Sequence, residues 1–200
     1  VIMLIEVFSD PVCPWCYIAK RRLDQALAVV DLPAEVVWRS FQLDPTYPDD
    51  LDWTLPEFHL QRLGIGSVEN DRRLALVTAQ AREAGLDYRL DRARPANTYE
   101  AHRLIKHASA HGRGLEVAEA LMRAYTVEGR WIGDPEVRRE IAAAAGLEVP
   151  APDAYRDAIA ADRELADRYG IRAVPTLVLD RRVGLVAAGL DDLINALAAA

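Results

Sequence analysis

Only two of the 200 residues are cysteine, and that scarcity removes several classes of protein at once. A framework of structural disulfides needs more of them, and a structural zinc site needs two further ligands at matching spacing. The four histidines all lie far from the cysteines along the chain, so no metal is expected. Long apolar runs are also missing. Every hydrophobic stretch is short and interrupted by charge, so no segment reads as a bilayer span and no membrane is expected. A basic surplus is absent too: 24 Lys and Arg stand against 31 Asp and Glu, a formal charge of −7. Such a surface repels phosphate backbones, and nucleic acid is not an expected partner. The first residues lack the basic start, apolar middle and small-residue cleavage site of a secretory signal. With no other cysteines, the expected compartment is the cytoplasm, where structural disulfides are rare.

What is present suits a folded domain. Half the residues (51%) are hydrophobic, enough for a sizeable core without disulfide or metal support. Residues 1–8 form a nearly continuous apolar run, the pattern of a strand buried on both faces of a parallel sheet. Ser9-Asp10-Pro11 ends it. Over residues 14–30, Ile18, Leu23, Ala26, Leu27 and Val30 recur at helical spacing, and residues 35–43 alternate as a second strand. Strand, helix and strand in that space make a βαβ unit.

Residues 54–147 carry helix signals only. Thr54 with Glu57 is a capping box, and Gly64 suits the left-handed residue that closes the helix. Ser67 opens a helix that Gly85 closes, Asn97 caps another running to residue 110, and residues 115–127 are helical again. Asp134-Pro135 pairs an N-cap with an N1 proline, and that helix ends at Gly146. Strand character returns late: a helix over 153–169, a short strand after Val174-Pro175, a partner strand over 182–188 and a closing helix over 190–199. No repeat or low-complexity linker is seen. The expected fold class is α/β, with residues 1–50 plus 150–200 as one domain and residues 51–149 as an inserted helical subdomain.

Cys13-Pro14-Trp15-Cys16 sits at the start of the first helix. This spacing places one sulfur at an exposed helix tip and the other a turn inside. Free backbone N–H groups and the helix dipole there stabilise a thiolate on Cys13. Pro14 is tolerated because its missing N–H is not required in the first turn. Cys16, shielded, attacks once Cys13 holds a mixed disulfide. The other readings are a zinc site and a pair of inert buried thiols. A lone C-x-x-C is a moderate signal; one directly after a first βα junction is stronger. Pro175, near the start of a strand, is either a trans edge proline or a cis proline, and the cysteine pair favours the cis form.

Several segments now converge on a known family. They are Phe8-Ser9-Asp10-Pro11-Val12-Cys13-Pro14-Trp15-Cys16-Tyr17-Ile18, Trp38-Arg39-Ser40-Phe41-Gln42-Leu43-Asp44-Pro45, Asn97-Thr98 with Ala101-His102-Arg103-Leu104-Ile105, Glu128-Gly129-Arg130 to Asp134, and Gly170-Ile171 to Val174-Pro175-Thr176. In this order the chain resembles the DsbA-like branch of the thioredoxin superfamily, most closely its FrnE-like cytoplasmic members. The resemblance implies a thioredoxin fold with a large all-helical insertion. It also implies dithiol–disulfide exchange by Cys13 and Cys16, with Pro175 facing them and no cofactor. The expected partners are thiols and disulfides, carried on protein or on glutathione-like molecules; the oligomeric state is left open. Two departures stand out. Ala187-Ala188-Gly189 replaces the Gly-Ala-Gln segment common after the last strand, and the extra cysteine pair tied to isomerase behaviour in some members is missing.

Other residues invite a role. Val174, beside Pro175, is expected to shape the site. His102 either approaches the active site or lies on an ordinary helix face, and Asn97 reads better as a cap than as a substrate ligand. His107 and His111, at i and i+4, read as a solvated face, as do Lys20-Arg21-Arg22. Trp15 is expected exposed at the tip, where it either contacts substrate, the favoured reading, or shields Cys16. Trp38 is expected in the core, and Trp53 and Trp131 either packed or lining a cleft. Two competing functions remain. Kappa-type glutathione transferases and 2-hydroxychromene-2-carboxylate isomerases share the fold plan but usually place serine where Cys13 stands. A chaperone-like module holding apolar segments is the non-enzymatic alternative.

Overall fold

The computed structural model describes residues 2–199; the expected strand start at Val1 and the last residue of the expected C-terminal domain, Ala200, lie outside the described residues. Four strands, β1 (Met3–Ser9), β2 (Ala34–Ser40), β3 (Thr176–Leu179) and β4 (Val183–Val186), form one sheet in the order β2-β1-β3-β4. β1 runs parallel to β2 but antiparallel to β3, and β3 is antiparallel to β4. The sheet is therefore mixed rather than parallel throughout. A buried run such as β1 reports coverage of both faces, not the direction of its neighbours.

Helix α1 (Pro14–Val30) links β1 to β2 and packs with α8 (Leu190–Ala198) on one face. There Met3, Ile5 and Val7 meet Leu23, Ala26, Leu193 and Leu197. The other face takes α7 (Arg156–Arg168), with Phe8 and Val178 against Ala166 and Ile171. That helix starts three residues later than its sequence pattern suggests. Asp153 and Tyr155 have φ of 61° and 66°, and this left-handed backbone cannot belong to a right-handed helix.

Between β2 and α7 the chain is helical: α2 (Leu55–Leu63), α3 (Ser67–Glu83), α4 (Tyr99–Ala110), α5 (Gly114–Arg123) and α6 (Pro135–Ala144). The Thr54–Glu57 capping box forms in both directions, and Gly64 closes α2 at φ 67°. Asp134 caps α6 by accepting the Glu136 N–H. α5 does not continue as an α-helix to residue 127; a π-helical turn, Ala124–Glu128, takes over and closes at Gly129 with φ 65°. Lys20, Arg21 and Arg22 are not a solvated face. Lys20 and Arg21 bind Glu119 of α5 at 2.5 and 3.0 Å, and Arg22 reaches Gln80 of α3 at 2.6 Å, so α1 is tied to the inserted helices.

A buried polar network fastens the helices to the sheet. Asp162 of α7 accepts the Ser40 N–H at 2.7 Å and Arg39 Nη1 at 3.3 Å, and pairs with Lys106 of α4. Arg39 also donates to the fully buried Glu6, which takes the Tyr169 hydroxyl at 3.0 Å. Burial pulls the Lys106 ammonium below its ordinary pKa, against the raising effect of Asp162.

Candidate active site

The topology brings two distant segments together. β1 ends at Ser9 and delivers Cys13 to the N-cap of α1, while Phe8 pairs with Thr176, the first residue of β3. The loop entering β3 therefore lies beside the cysteines. Its Val174–Pro175 peptide bond is cis. The Cys13 thiol points to the Val174 carbonyl, 3.8 Å away, and both cysteines are free thiols.

Cys13 is not at an exposed tip. It is 5% exposed and Cys16 is 1% exposed. The inserted helices cover the motif, and both cysteines belong to the core that contains Leu55, Val77, Tyr88 and Tyr125. Tyr88 donates its hydroxyl to the Pro14 carbonyl at 2.5 Å and stacks on Tyr17, with ring centroids 6.4 Å apart. No local pattern marks Tyr88 or Tyr125 as site residues; the partners are 74 residues apart in the first case. Burial pushes both phenols above their ordinary pKa.

Burial also raises the Cys16 thiol well above its ordinary value, and the neighbouring Cys13 sulfur adds to it. Contacts from Ser9 and the Asp10 backbone oppose the shift. The folded state thus favours the neutral thiol. Its contribution to stability is complete below the unfolded thiol pKa of about 8.5 and is lost as pH rises toward the folded value. In the reduced protein, urea denaturation from pH 8 to 9.5 is expected to show stability falling more steeply than in Cys16→Ala. The difference in slope should approach about 1.4 kcal/mol per pH unit. Equal slopes would contradict this reading of Cys16.

A cavity of about 960 Å³ opens onto Cys13. Its floor is Val12, Cys13, Pro14 and Trp15, with Tyr125 from the π-helical turn beside them, and α2 and α3 supply the walls. Trp15 is half-buried in this floor rather than projecting into solvent. Among the described residues neither Trp53 nor Trp131 lines the cavity; the Trp131 indole instead donates to the Pro95 carbonyl at 3.2 Å.

His102 is fully buried. Its Nε2 lies 3.3 Å from Oδ1 of the buried Asp10, and its ring packs near Trp38, which is itself in the core. Asp10 accepts the Leu43 N–H at 2.7 Å, and its carbonyl takes the Cys13 N–H at 3.0 Å. Asp10 stood inside the motif segment without an assigned role; its burial is what marks it. Asn97 accepts the Tyr99 N–H and binds Gln42 and the Tyr47 carbonyl, so it secures the start of α4 and is not among the residues that line the cavity. The assigned N-cap is Thr98, one residue later. His107 is tied to Tyr155 at 3.1 Å, while His111 is exposed.

A four-stranded mixed sheet with a dithiol at the N-terminus of its first helix, facing a cis-proline, defines a thioredoxin-fold protein with an inserted helical block. The model of the DSBA-like thioredoxin domain family matches residues 4–198, and the chain belongs to that family. It is similar to a probable DsbA oxidoreductase from Streptomyces coelicolor, at 33% identity and TM-score 0.91, with 98% of this chain and 88% of the other covered. An uncharacterised protein of Bacillus subtilis (strain 168), YwbO, is 27% identical over 198 residues, 94% of this chain and 92% of its own length. The cytosolic disulfide reductase DsbM from Pseudomonas aeruginosa, solved with GSH, shares the fold at TM-score 0.67 and 24% identity, with 97% and 96% covered. No helix among the described residues is long and apolar enough to cross a membrane.

Proposed function

We propose that the protein is a thiol–disulfide oxidoreductase in which Cys13 attacks and Cys16 resolves. The observation that carries this reading is the placement of both free thiols on the first turn of α1, with Cys13 against the Val174 carbonyl and open to the cavity. The Cys13 thiolate attacks one sulfur of a substrate disulfide and expels the other as a thiolate, which takes up a proton. Cys16 then loses its proton and attacks the Cys13 sulfur. The second substrate thiol leaves, and a Cys13–Cys16 disulfide remains. Two electrons have passed to the substrate, and an external dithiol restores them. Val174 and Pro175 offer backbone to the bound substrate, Pro14 and Trp15 shape the floor, and His102 acts on the site through Asp10.

The burial of Cys16 supports the division of labour, since a thiol held neutral is a poor first nucleophile. The cysteine content supports a reducing compartment, and we place the protein with the FrnE-like cytoplasmic members, residues 51–149 serving as an inserted subdomain over the site. The test is Cys16→Ser. Incubated with a disulfide substrate, it is expected to accumulate a stable mixed disulfide at Cys13, seen as one added half-substrate mass that dithiothreitol removes. An adduct at no cysteine would overturn the proposal.

A further inference from the structure

The charges around the cavity are already committed. Arg62, on its wall, holds both oxygens of Asp44 at 2.5 and 3.1 Å and also donates to the Thr46 hydroxyl. Arg73 binds Glu69 at 2.8 Å, and His59 is bonded to the buried Asn70 at 2.6 Å. Asp10 and Asp44 add carboxylates of their own to the lining. An incoming carboxylate would therefore have to break an existing pair or go unpaired, which burial penalises. Glutathione brings two carboxylates and an ammonium on each half of its disulfide.

The remaining surface is apolar. Phe58, Leu74 and Val77 line the interior, and the mouth carries Leu43, Leu63 and Leu76, which are 50%, 53% and 58% exposed. Half-exposed leucines around an opening favour an occupant that covers them. The nucleophile lies at the floor with 5% of its surface accessible, a placement that favours a disulfide small enough to enter the cavity over one held on a folded protein surface. The cavity, about 960 Å³, falls within the range of small-molecule sites.

We propose that this cavity selects an uncharged, apolar small-molecule disulfide over glutathione disulfide and over protein disulfides. The inference rests on the exchange reading of Cys13 and Cys16 and narrows it to a substrate class. Cys13 forms a mixed disulfide with one apolar half and expels the other as a thiolate; Cys16 then releases the first. A dithiol reductant returns the two electrons.

Two chromogenic disulfides with aromatic bodies separate charge from shape: 4,4′-dithiodipyridine, uncharged near neutral pH, and the dianionic 5,5′-dithiobis(2-nitrobenzoate). Single-turnover rates of the reduced protein with each, with glutathione disulfide and with insulin are divided by the rate of each with free dithiothreitol. This removes differences in leaving-group reactivity. Burying one aromatic ring favours dithiodipyridine over glutathione disulfide and insulin, and the dianion is disfavoured in the same cavity by its unpaired carboxylates. The normalised rate with dithiodipyridine is therefore expected to exceed those of the three others by at least about tenfold. Leu63→Lys and Leu76→Lys change exposed rim positions and leave the core intact. Each is expected to reduce the normalised rate with dithiodipyridine, and with it that preference, severalfold. A normalised preference for glutathione disulfide, the dianion or insulin, or equal rates for all, overturns the substrate assignment and leaves the exchange reaction standing. Failure of every disulfide to react at Cys13 overturns the exchange reaction itself.

Discussion

Cys13→Ser is expected to lose disulfide turnover by at least about 1000-fold, because a serine hydroxyl does not ionise near neutral pH and removes the attacking sulfur. Dithiothreitol supplies electrons in the assay, and insulin, glutathione disulfide and 4,4′-dithiodipyridine are offered in turn. Serine is nearly isosteric with cysteine, and the thiol it replaces holds the Val174 carbonyl only at a long 3.8 Å. The variant should therefore keep its circular dichroism spectrum and stay within about 1 kcal/mol of wild-type stability. Full retained turnover would remove Cys13 from the chemistry. The same variant discriminates against the kappa-type reading, whose members usually carry serine at this position. A glutathione-dependent isomerase activity that survives in Cys13→Ser, and in a Cys16 variant, would favour that alternative.

Asp162→Ala is expected to destabilise the protein by roughly 3–5 kcal/mol, the range for a buried pair that loses one partner. The carboxylate is almost fully buried and serves three elements at once: the Ser40 N–H of β2, Arg39 of β2 and Lys106 of α4. Its loss leaves the Lys106 ammonium with the Trp38 carbonyl at 3.2 Å, in a site whose burial already disfavours the charge. For a chain of this length the melting temperature should fall by roughly 10 °C. Asp162→Asn keeps an acceptor for Ser40 and is expected to lose less, which preserves the test if the alanine variant does not fold. A change in melting temperature below about 2 °C in both variants contradicts the role given to this pair. Because α4 also carries His102 to Asp10, a functional echo is expected: Asp162→Asn should slow exchange more than its stability loss explains.

The chain by itself was informative wherever the cause of a structure is local. The capping box at Thr54, the proline at N1 after Asp134 and the αL glycine at residue 64 are settled by groups within a few residues, and each appears where its sequence pattern puts it. The start and end of α1 are of the same kind. The covering of β1 on both faces was legible in its apolar run, although distant helices supply the cover. The dithiol could be named because cysteine is rare in this chain and its chemistry specific, and the proline before β3 because the dithiol gave it a meaning.

The setting of the dithiol was decided by tertiary structure. Sequence spacing puts Cys13 at a helix tip, and a helix tip by default faces water. The inserted helices turn it into the floor of a cavity, since covering the apolar faces of α2 and α3 requires packing them over the motif. The same long-range packing buries His102 against Asp10, sets Tyr88 on the Pro14 carbonyl and uses Lys20, Arg21 and Arg22 as clamps rather than as a wet surface. Local propensity contains no term for partners 58 to 99 residues away. Residue type and spacing thus determined which atoms carry the chemistry, whereas folding over distance determined what can reach them.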